Sequence, residues 1–242
     1  MPHLPAAPLD RVLDRVDRAW QPRRAAHHVI LGQTGAGKTT LIKSLLRLRL
    51  DARVLIIDPK PAPDPAWDDV AGYPDTWGTP VQHIAAGFGS DREGGGPHGY
   101  WFRLVATPDR EATGAALAAA LDVVRAEGHA IVVIDDAREV CRAYRAHKLD
   151  QAVESVMNLG RSGATSVLLA TQELGYVPGR AQGAFTWVGH TQGLDAAKGG
   201  AALLGKAGKA WVETMSAIPP YHWAYLDNRP GNPGPVLTTE SL

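Results

Sequence analysis

The feature that most constrains the fold of this chain is the octapeptide at residues 32–39, Gly-Gln-Thr-Gly-Ala-Gly-Lys-Thr. It matches the pattern G-x-x-x-x-G-K-[ST] in full and lies between a short apolar run at 28–31 and a helical pattern at 39–50. Such a loop curls so that its N–H groups point at phosphate oxygens, and the N-terminus of the next helix adds partial positive charge. The sequence therefore predicts a nucleotide site at a junction between a strand and a helix.

The predicted nucleotide site uses nine consecutive residues together with Mg²⁺. Lys38 is expected to reach the β- and γ-phosphates of ATP, and the hydroxyl of Thr39 is expected to ligate the metal. The chain contains 26 glycines, so a Gly-rich turn with a lysine is the alternative, but the position between strand and helix favours nucleotide binding. The residues predicted to bind ATP are Gly32, Gln33, Thr34, Gly35, Ala36, Gly37, Lys38, Thr39 and Thr40.

A second signal is the run at 131–139, Ile-Val-Val-Ile-Asp-Asp-Ala-Arg-Glu, in which a buried strand ends in two aspartates. We expect Asp135 to ligate Mg²⁺ and Asp136 to orient or deprotonate the attacking water. Aspartate is also favoured as a helix N-cap, so Asp136 has a structural alternative, and one carboxylate cannot easily do both. Glu139, about one turn into the following helix, is the second candidate for the base.

A third apolar strand, at 166–170, ends in the polar pair Thr171-Gln172. Ligands of open α/β sheets bind at the carboxyl ends of the strands, so Gln172 is expected close to the γ-phosphate. A strand that simply ends in a turn is the alternative interpretation.

The pattern of the whole chain predicts a three-layer α/β fold with a mainly parallel sheet, because apolar strands alternate with helices. We expect residues 1–242 to form a single domain, with an amphipathic helix at 9–20 and an extended Pro/Gly-rich tail from about 228. The other predicted helices lie at 109–127, from 137 onward, at 149–159 and at 194–205, and a hairpin is predicted at 205–213. The predicted strands lie at 28–31, 53–57, 81–85, 101–106, 131–134, 166–170, 185–189 and 221–226.

Composition limits the possible partners and the compartment. Lysine and arginine total 25, as do aspartate and glutamate, so contact with a polyanion needs a local patch or patches joined by oligomerisation. Cys141 is the only cysteine, which excludes an intramolecular disulfide and favours a reducing interior. The N-terminus lacks the apolar core of a signal peptide, and no apolar run approaches the roughly 20 residues of a membrane span. A cytoplasmic protein with no membrane partner is predicted.

Four segments together resemble the FtsK/HerA superfamily of DNA-translocating ATPases: GQTGAGKTT, VLIIDPKP, IVVIDDARE and NLGRSGATSVLLATQE. The superfamily includes conjugative coupling proteins, chromosome pumps and the genome-packaging ATPases of membrane-containing viruses. The resemblance covers residues 27–190, and its more distinguishing parts are the Asp-Pro after the second strand and the Thr-Gln at 171–172. It implies a RecA-like (ASCE) P-loop NTPase fold and a hexameric ring that threads double-stranded DNA, with ATP sites between subunits.

The resemblance also implies roles for two further residues. Gln172 falls on the sensor of such enzymes, and Arg161 falls on the Gly-Arg that supplies an arginine finger to the neighbouring subunit, where it neutralises charge on the transferred phosphoryl group. Arg161 is equally interpretable as a solvated loop residue, and Arg138 and Arg142 are competing candidates. Asp136 departs from the glutamate that is usual at its position in this superfamily.

The sequence therefore predicts an ATPase that packages or transfers double-stranded DNA for a virus, a phage or a mobile element, in the host cytoplasm or the virion. A docking protein is expected but not identified. The alternative is a small-molecule or regulatory P-loop ATPase or kinase that does not act on DNA. Neither the LSGGQ-like signature of transporter ATPases nor the N-K-x-D of GTPases occurs where it would be needed. Candidate DNA contacts, none preferred over another, are Arg92, Lys198, Lys206 and Lys209.

Overall fold

The computed structural model describes residues 4–21, 24–50, 52–59, 65–67, 101–105, 108–143, 147–173, 175, 185–206, 209–232 and 234–239. The strand predicted at 81–85 and the candidate Arg92 lie outside these ranges. The backbones of Arg142 and Arg161 are described, but their side chains are not. Within the described ranges, every helix is too short or too polar to span a bilayer.

The described strands form one sheet. They are β1 (Ala6–Ala7), β2 (His28–Leu31), β3 (Arg53–Asp58), β4 (Trp101–Val105), β5 (Ala130–Asp135), β6 (Ser166–Thr171), β7 (Phe185–Val188), β8 (Ala224–Asp227) and β9 (Val236–Thr238). Their order is β1-β9-β8-β7-β2-β6-β5-β3-β4. The strands from β7 to β4 in this order run parallel to one another, whereas β8 is antiparallel to both of its neighbours. The predicted, mainly parallel sheet is confirmed.

Helices cover both faces of the sheet. They are α1 (Leu9–Ala19), α2 (Lys38–Arg47), α3 (Arg110–Glu127), α4 (Ala137–Ala143), α5 (Leu149–Gly163), α6 (Leu194–Leu203) and α7 (Lys209–Ser216), and a 3-10 turn spans Pro65–Trp67. Successive residues of β5 point to opposite faces: Val132 and Ile134 pack in the apolar cluster with α3 to α7, and Ile131 and Val133 pack with α1 and α2. This alternation confirms the three-layer α/β architecture.

The segment predicted as a hairpin at 205–213 is instead largely helical, because α7 occupies Lys209–Ser216. Trp211, Val212 and Met215 recur at helical spacing and pack against the same cluster as α6. The hairpin prediction was wrong because the apolar residues of this segment follow helical spacing and pack on the core as one face of a helix.

Two predicted boundaries also differ. The strand predicted at 221–226 begins only at Ala224, because Tyr221 has φ +63°, which a strand residue does not adopt. Helix α5 continues to Gly163 instead of ending at 159, so Arg161 lies in a helix and not in a loop. The end of α5 docks closely on the start of β5: the N–H of His129 donates to the carbonyl of Gly163 (2.5 Å).

The C-terminal tail is extended, but part of it is a strand. Residues of β9 pair with β8 on one side and with the two-residue β1 on the other, so both ends of the described chain complete one edge of the sheet. The N–H of Leu237 also donates to the carbonyl of Pro5 (2.8 Å).

Candidate nucleotide site

The sheet order brings three of the predicted motifs to one edge. Strand β6 lies between β2 and β5, with Leu31 paired to Thr171 and Asp135 paired to Ala170. All three strands are parallel, so the loop after β2, the aspartates at the end of β5 and Gln172 after β6 emerge side by side. Their proximity follows from strand order.

A cavity of about 280 Å³ lies at this edge, at the N-terminus of α2. Most of the residues that line it were singled out from the sequence, and Ala66 and Tyr221 are additions. The lining residues are Thr34, Gly35, Gly37, Lys38, Thr39, Thr40, Ala66, Asp135, Asp136, Gln172 and Tyr221.

The loop at 32–37 is anchored on both sides by backbone hydrogen bonds. The N–H of Gly32 donates to the carbonyl of Thr171 (3.1 Å), and the N–H of Gln33 donates to that of His190 (3.0 Å), just past β7. The Lys38 ammonium donates to the carbonyls of Gly32 and Gln33, each at 2.9 Å. Gly37, with φ +88°, is the N-cap of α2, and the first helical turn that follows it lines the cavity with Lys38, Thr39 and Thr40. This arrangement is suited to hold an anion.

Thr39 and Asp135, the predicted metal ligands, are in direct contact. The Thr39 hydroxyl donates to Oδ2 of Asp135 (3.2 Å), and the indole N–H of Trp67 donates to the same oxygen (2.9 Å). Asp135 is only 3% exposed and Trp67 only 2%, so both are fixed by packing as well as by hydrogen bonds. One hydroxyl and one carboxylate, completed by nucleotide phosphates, are a donor set that suits Mg²⁺. The residues present therefore fit the predicted metal.

Asp136 lines the cavity and also caps the next helix. Its Oδ1 accepts a hydrogen bond from the backbone N–H of Glu139 (3.2 Å), which is the N-cap interaction considered from the sequence. Its φ of +97° is a strained conformation for a residue with a side chain, and such strain is often found at functional sites. Glu139 lies in the first turn of α4 and does not line the cavity as described.

The arginine candidates occupy different positions. The Arg138 guanidinium forms an ion pair with Glu173 of the same chain (2.7 Å), directly after Gln172. Arg161 lies near the end of α5, before β6 begins at Ser166, and thus at the opposite edge of the sheet from its own nucleotide loop. A six-residue strand spans about 20 Å, which exceeds the reach of an arginine side chain. Arg161 is therefore too distant to serve the nucleotide site of its own chain.

Trp67 and Tyr221 were missed by sequence reasoning. The backbone N–H of Tyr221 donates to the carbonyl of Ala36 (3.3 Å), and its ring lies over Gly37, where an added Cβ would come within 2.5 Å of Cδ1. Nothing in the sequence near 221 signals this contact, which links residues far apart in the chain. For Trp67 the sequence gives a weak signal, because a tryptophan that is buried in the fold needs a hydrogen-bond acceptor for its indole N–H.

Two histidines that flank strands β2 and β7 have structural contacts. A ring nitrogen of His190 lies 2.7 Å from the carbonyl of Ile218, which ties the end of β7 to the turn before Tyr221. His27 hydrogen bonds to Met157 and Val167 through its two ring nitrogens.

Residues 25–60 match the family model of the central domain of helicase HerA. A comparison with curated proteins finds no matching sequence. Among solved structures, the genome packaging NTPase B204 of Sulfolobus turreted icosahedral virus 2, in complex with ATP-γ-S, superimposes with a TM-score of 0.57. It shares 15% identity, and the match covers 92% of this chain and 100% of B204.

Two other ATPase structures share the fold. The pCW3 conjugation coupling protein TcpA has a TM-score of 0.53 at 12% identity, over 89% of this chain and 60% of TcpA. The cytoplasmic domain of the type VII secretion ATPase EccC from Thermomonospora curvata has a TM-score of 0.50 at 14% identity, over 87% of this chain and 25% of that one. Together with the match at 25–60, they confirm the resemblance to the FtsK/HerA superfamily.

Proposed function

We propose that this chain, whose nucleotide loop and fold are those of P-loop ATPases of the HerA/FtsK type, is an ATP-driven motor that moves double-stranded DNA. The observation that carries the proposal is the contact between Thr39 and Asp135 inside a cavity that also holds Lys38 and Gln172. The full-length likeness to a genome packaging NTPase directs the proposal to DNA packaging or transfer, and that to a conjugation coupling protein agrees with it. The motor would act on DNA in a host cytoplasm or a virion. A separate docking protein would recruit it there.

In the proposed mechanism, Lys38 and the loop N–H groups bind the β- and γ-phosphates of ATP. Thr39 and Asp135 would hold Mg²⁺, which would neutralise charge on the phosphates. Asp136 orients the attacking water, and Gln172, at the end of β6, responds to the presence of the γ-phosphate.

Arg161 is proposed to act on the nucleotide of a neighbouring subunit in a ring, most simply a hexamer. Its position at the edge of the sheet away from its own loop supports action in trans, since it is too far away to act in cis. Arg138 is a weaker candidate, because its ion pair with Glu173 already engages it within its own chain.

The test of the motor is the ATPase rate with and without double-stranded DNA, at low and moderate salt, together with the particle mass in the presence of ATP. We expect DNA to raise the rate, less so at higher salt, and ATP to favour a ring. A monomer whose ATPase rate ignores DNA would instead support the small-molecule or regulatory ATPase. The Lys38→Ala chain, which lacks the proposed phosphate contact, is the control for contaminating ATPases.

Mixed oligomers test the proposed role of Arg161. Arg161→Ala chains and Lys38→Ala chains are each expected to be inactive alone. In a mixture, some interfaces join an intact Lys38 to an intact Arg161 from its neighbour, and part of the ATPase activity should return. An Arg138→Ala chain is the matched control and is expected to remain active. Mixtures no more active than their parents would exclude action in trans.

A further inference from the structure

A second cavity, of about 350 Å³, lies between α1 and the end of β8. Strand β8 is antiparallel to β7 and pairs its Asp227 with Phe185 at the amino end of β7. The nucleotide loop contacts His190, beyond the carboxyl end of the same strand. The second cavity is therefore at the opposite edge of the sheet from the nucleotide site. A ligand bound there is not the nucleotide held by the loop at 32–37.

One wall of this cavity is built by Arg229. Its guanidinium forms two hydrogen bonds to Asp227, Nε to Oδ1 at 2.9 Å and Nη2 to Oδ2 at 2.6 Å. Its third donor reaches the carbonyl of Ala19 at the end of α1 (2.9 Å). These contacts tie β8 to α1 and neutralise the Asp227 carboxylate.

The other basic residues of the cavity are not neutralised. Arg15 and Arg18 lie one turn apart on α1, and neither makes an ion pair within the described part of the chain. The charged residues that line the cavity are thus three arginines and one aspartate, and Asp227 already pairs with Arg229. The cavity has an excess of positive charge that is available to an anion.

One of the residues that line the cavity, Tyr225, carries a buried hydrogen-bond donor. Tyr225 is 4% exposed, and its hydroxyl has no hydrogen-bond partner among the described residues. Its ring is held by Trp187, with ring centroids 4.5 Å apart. Burial, and then the nearby Asp227, raise the pKa of this hydroxyl, so it keeps its proton at neutral pH. A buried hydroxyl without a partner is unfavourable, and a bound acceptor would satisfy it.

We propose that this cavity binds a phosphate group, held by the guanidinium groups of Arg15 and Arg18 and by the hydroxyl of Tyr225. Arginine donors match the geometry of phosphate oxygens, and the tyrosine hydroxyl supplies a further donor. The phosphate comes either from the backbone of a nucleic acid or from a free phosphorylated molecule. Of these two sources, only the nucleic-acid backbone depends on the proposed motor function.

Phosphate binding is tested on the full chain carrying Lys38→Ala, so that the nucleotide loop contributes little. Titration calorimetry with inorganic phosphate is compared for this chain and for chains that also carry Arg15→Gln with Arg18→Gln, or Tyr225→Phe. We expect the arginine pair to lower affinity by about tenfold or more and the tyrosine change by about threefold.

The matched control is Arg11→Gln, an exposed arginine of the same helix that does not line the cavity, and it should bind phosphate unchanged. Equal binding by the Arg11 control and the Arg15 and Arg18 double variant would overturn the proposal. Absence of phosphate and DNA binding by the parent chain would overturn it as well.

Anisotropy with double-stranded DNA over a salt series distinguishes the two sources of phosphate. If DNA occupies the cavity, loss of Arg15 and Arg18 reduces the slope of log affinity against log salt by about 2. An unchanged slope with lost binding of inorganic phosphate assigns the site to a free phosphorylated molecule. If the parent chain binds phosphate but not DNA, the motor function fails while the phosphate site stands.

Discussion

At the scale of single residues, the Asp136 carboxylate divides its two oxygens between two tasks. Oδ1 caps α4 through the N–H of Glu139, whereas Oδ2 has no hydrogen bond among the described residues. The positive φ at this position turns the chain sharply from β5 into α4 and leaves the side chain at the cavity. The sequence indicated that one carboxylate could not easily act both as a helix N-cap and as the base for the attacking water. The separate positions of its two oxygens allow Asp136 to do both.

Replacing Asp136 with asparagine separates these two tasks. Asparagine keeps an oxygen for the cap and tolerates positive φ, so the fold and ATP affinity should be retained. Turnover should fall by about 100-fold or more, because the amide cannot accept the proton of the water. The measurements are binding of a fluorescent ATP analogue and steady-state phosphate release. Glu139→Gln is the matched control and should stay active, and a reversal of these two results would make Glu139 the base.

Trp67 provides a second prediction at this scale. Its indole N–H and the Thr39 hydroxyl both donate to Oδ2 of Asp135, so Trp67→Phe keeps an aromatic ring and removes one donor that orients the carboxylate. Loss of such an outer contact typically lowers metal affinity by about 10-fold or more. We expect a Mg²⁺ titration of nucleotide binding to shift by that amount, with binding in the absence of Mg²⁺ unchanged. Trp211→Phe, distant in the fold, is the control, and identical Mg²⁺ curves for both variants would contradict the positioning role.

At the scale of elements, local patterns predicted the strands that form the centre of the sheet and the long helix α3. The Asp109 side chain caps this helix by accepting a hydrogen bond from the N–H of Ala112 (3.1 Å). The misassigned elements depend on distant partners. Strand β1 has only two residues and exists because β9 lies beside it, and α7 is stabilised by packing on α6. Such contacts leave little trace in the local sequence.

The turn before β8 lies where the sequence predicted the first residues of a strand. It holds Tyr221 in a left-handed conformation with its ring over Gly37, so it supports the nucleotide loop from outside. Tyr221→Gly keeps the backbone conformation and removes the ring, whereas Tyr221→Phe keeps the ring. We expect the glycine variant to bind ATP about fivefold more weakly, since an aromatic contact contributes on the order of 1 kcal/mol, and the phenylalanine variant to bind normally. Equal affinity in an equilibrium titration of both variants would exclude a role for the ring.

At the scale of the whole molecule, the sheet separates two kinds of site. The nucleotide cavity lies at the carboxyl edge of the parallel strands, whereas Arg161 and the proposed phosphate cavity lie toward the amino edge. Strand alternation in the sequence predicted the three layers and the carboxyl-edge site, because both follow from parallel topology. The second cavity could not be predicted in this way, since it joins Arg15 near one end of the chain to Tyr225 near the other.

We expect the stability of the whole molecule to depend on pH through a buried histidine. His28 is fully buried between Trp20 and Phe185, each with ring centroids 4.6 Å away, and its Nδ1 accepts a hydrogen bond from Trp187 (3.2 Å). Burial, reinforced by nearby positive charges, holds the pKa of His28 well below its ordinary value. The unfolded chain therefore binds a proton that the folded chain does not as pH falls below about 6.5, and the folded state loses stability there.

We predict that the urea midpoint of unfolding falls between pH 7.5 and pH 5.5, with His28 contributing about 1 kcal/mol of the loss in free energy of unfolding. His28→Gln keeps a neutral acceptor for Trp187 and should remove that part of the pH dependence. His222→Gln, at a more exposed site, is the control and should retain the full pH dependence of stability. If the His28 variant loses as much stability on acidification as the control, other groups cause the acid sensitivity, and His28 does not couple protonation to unfolding.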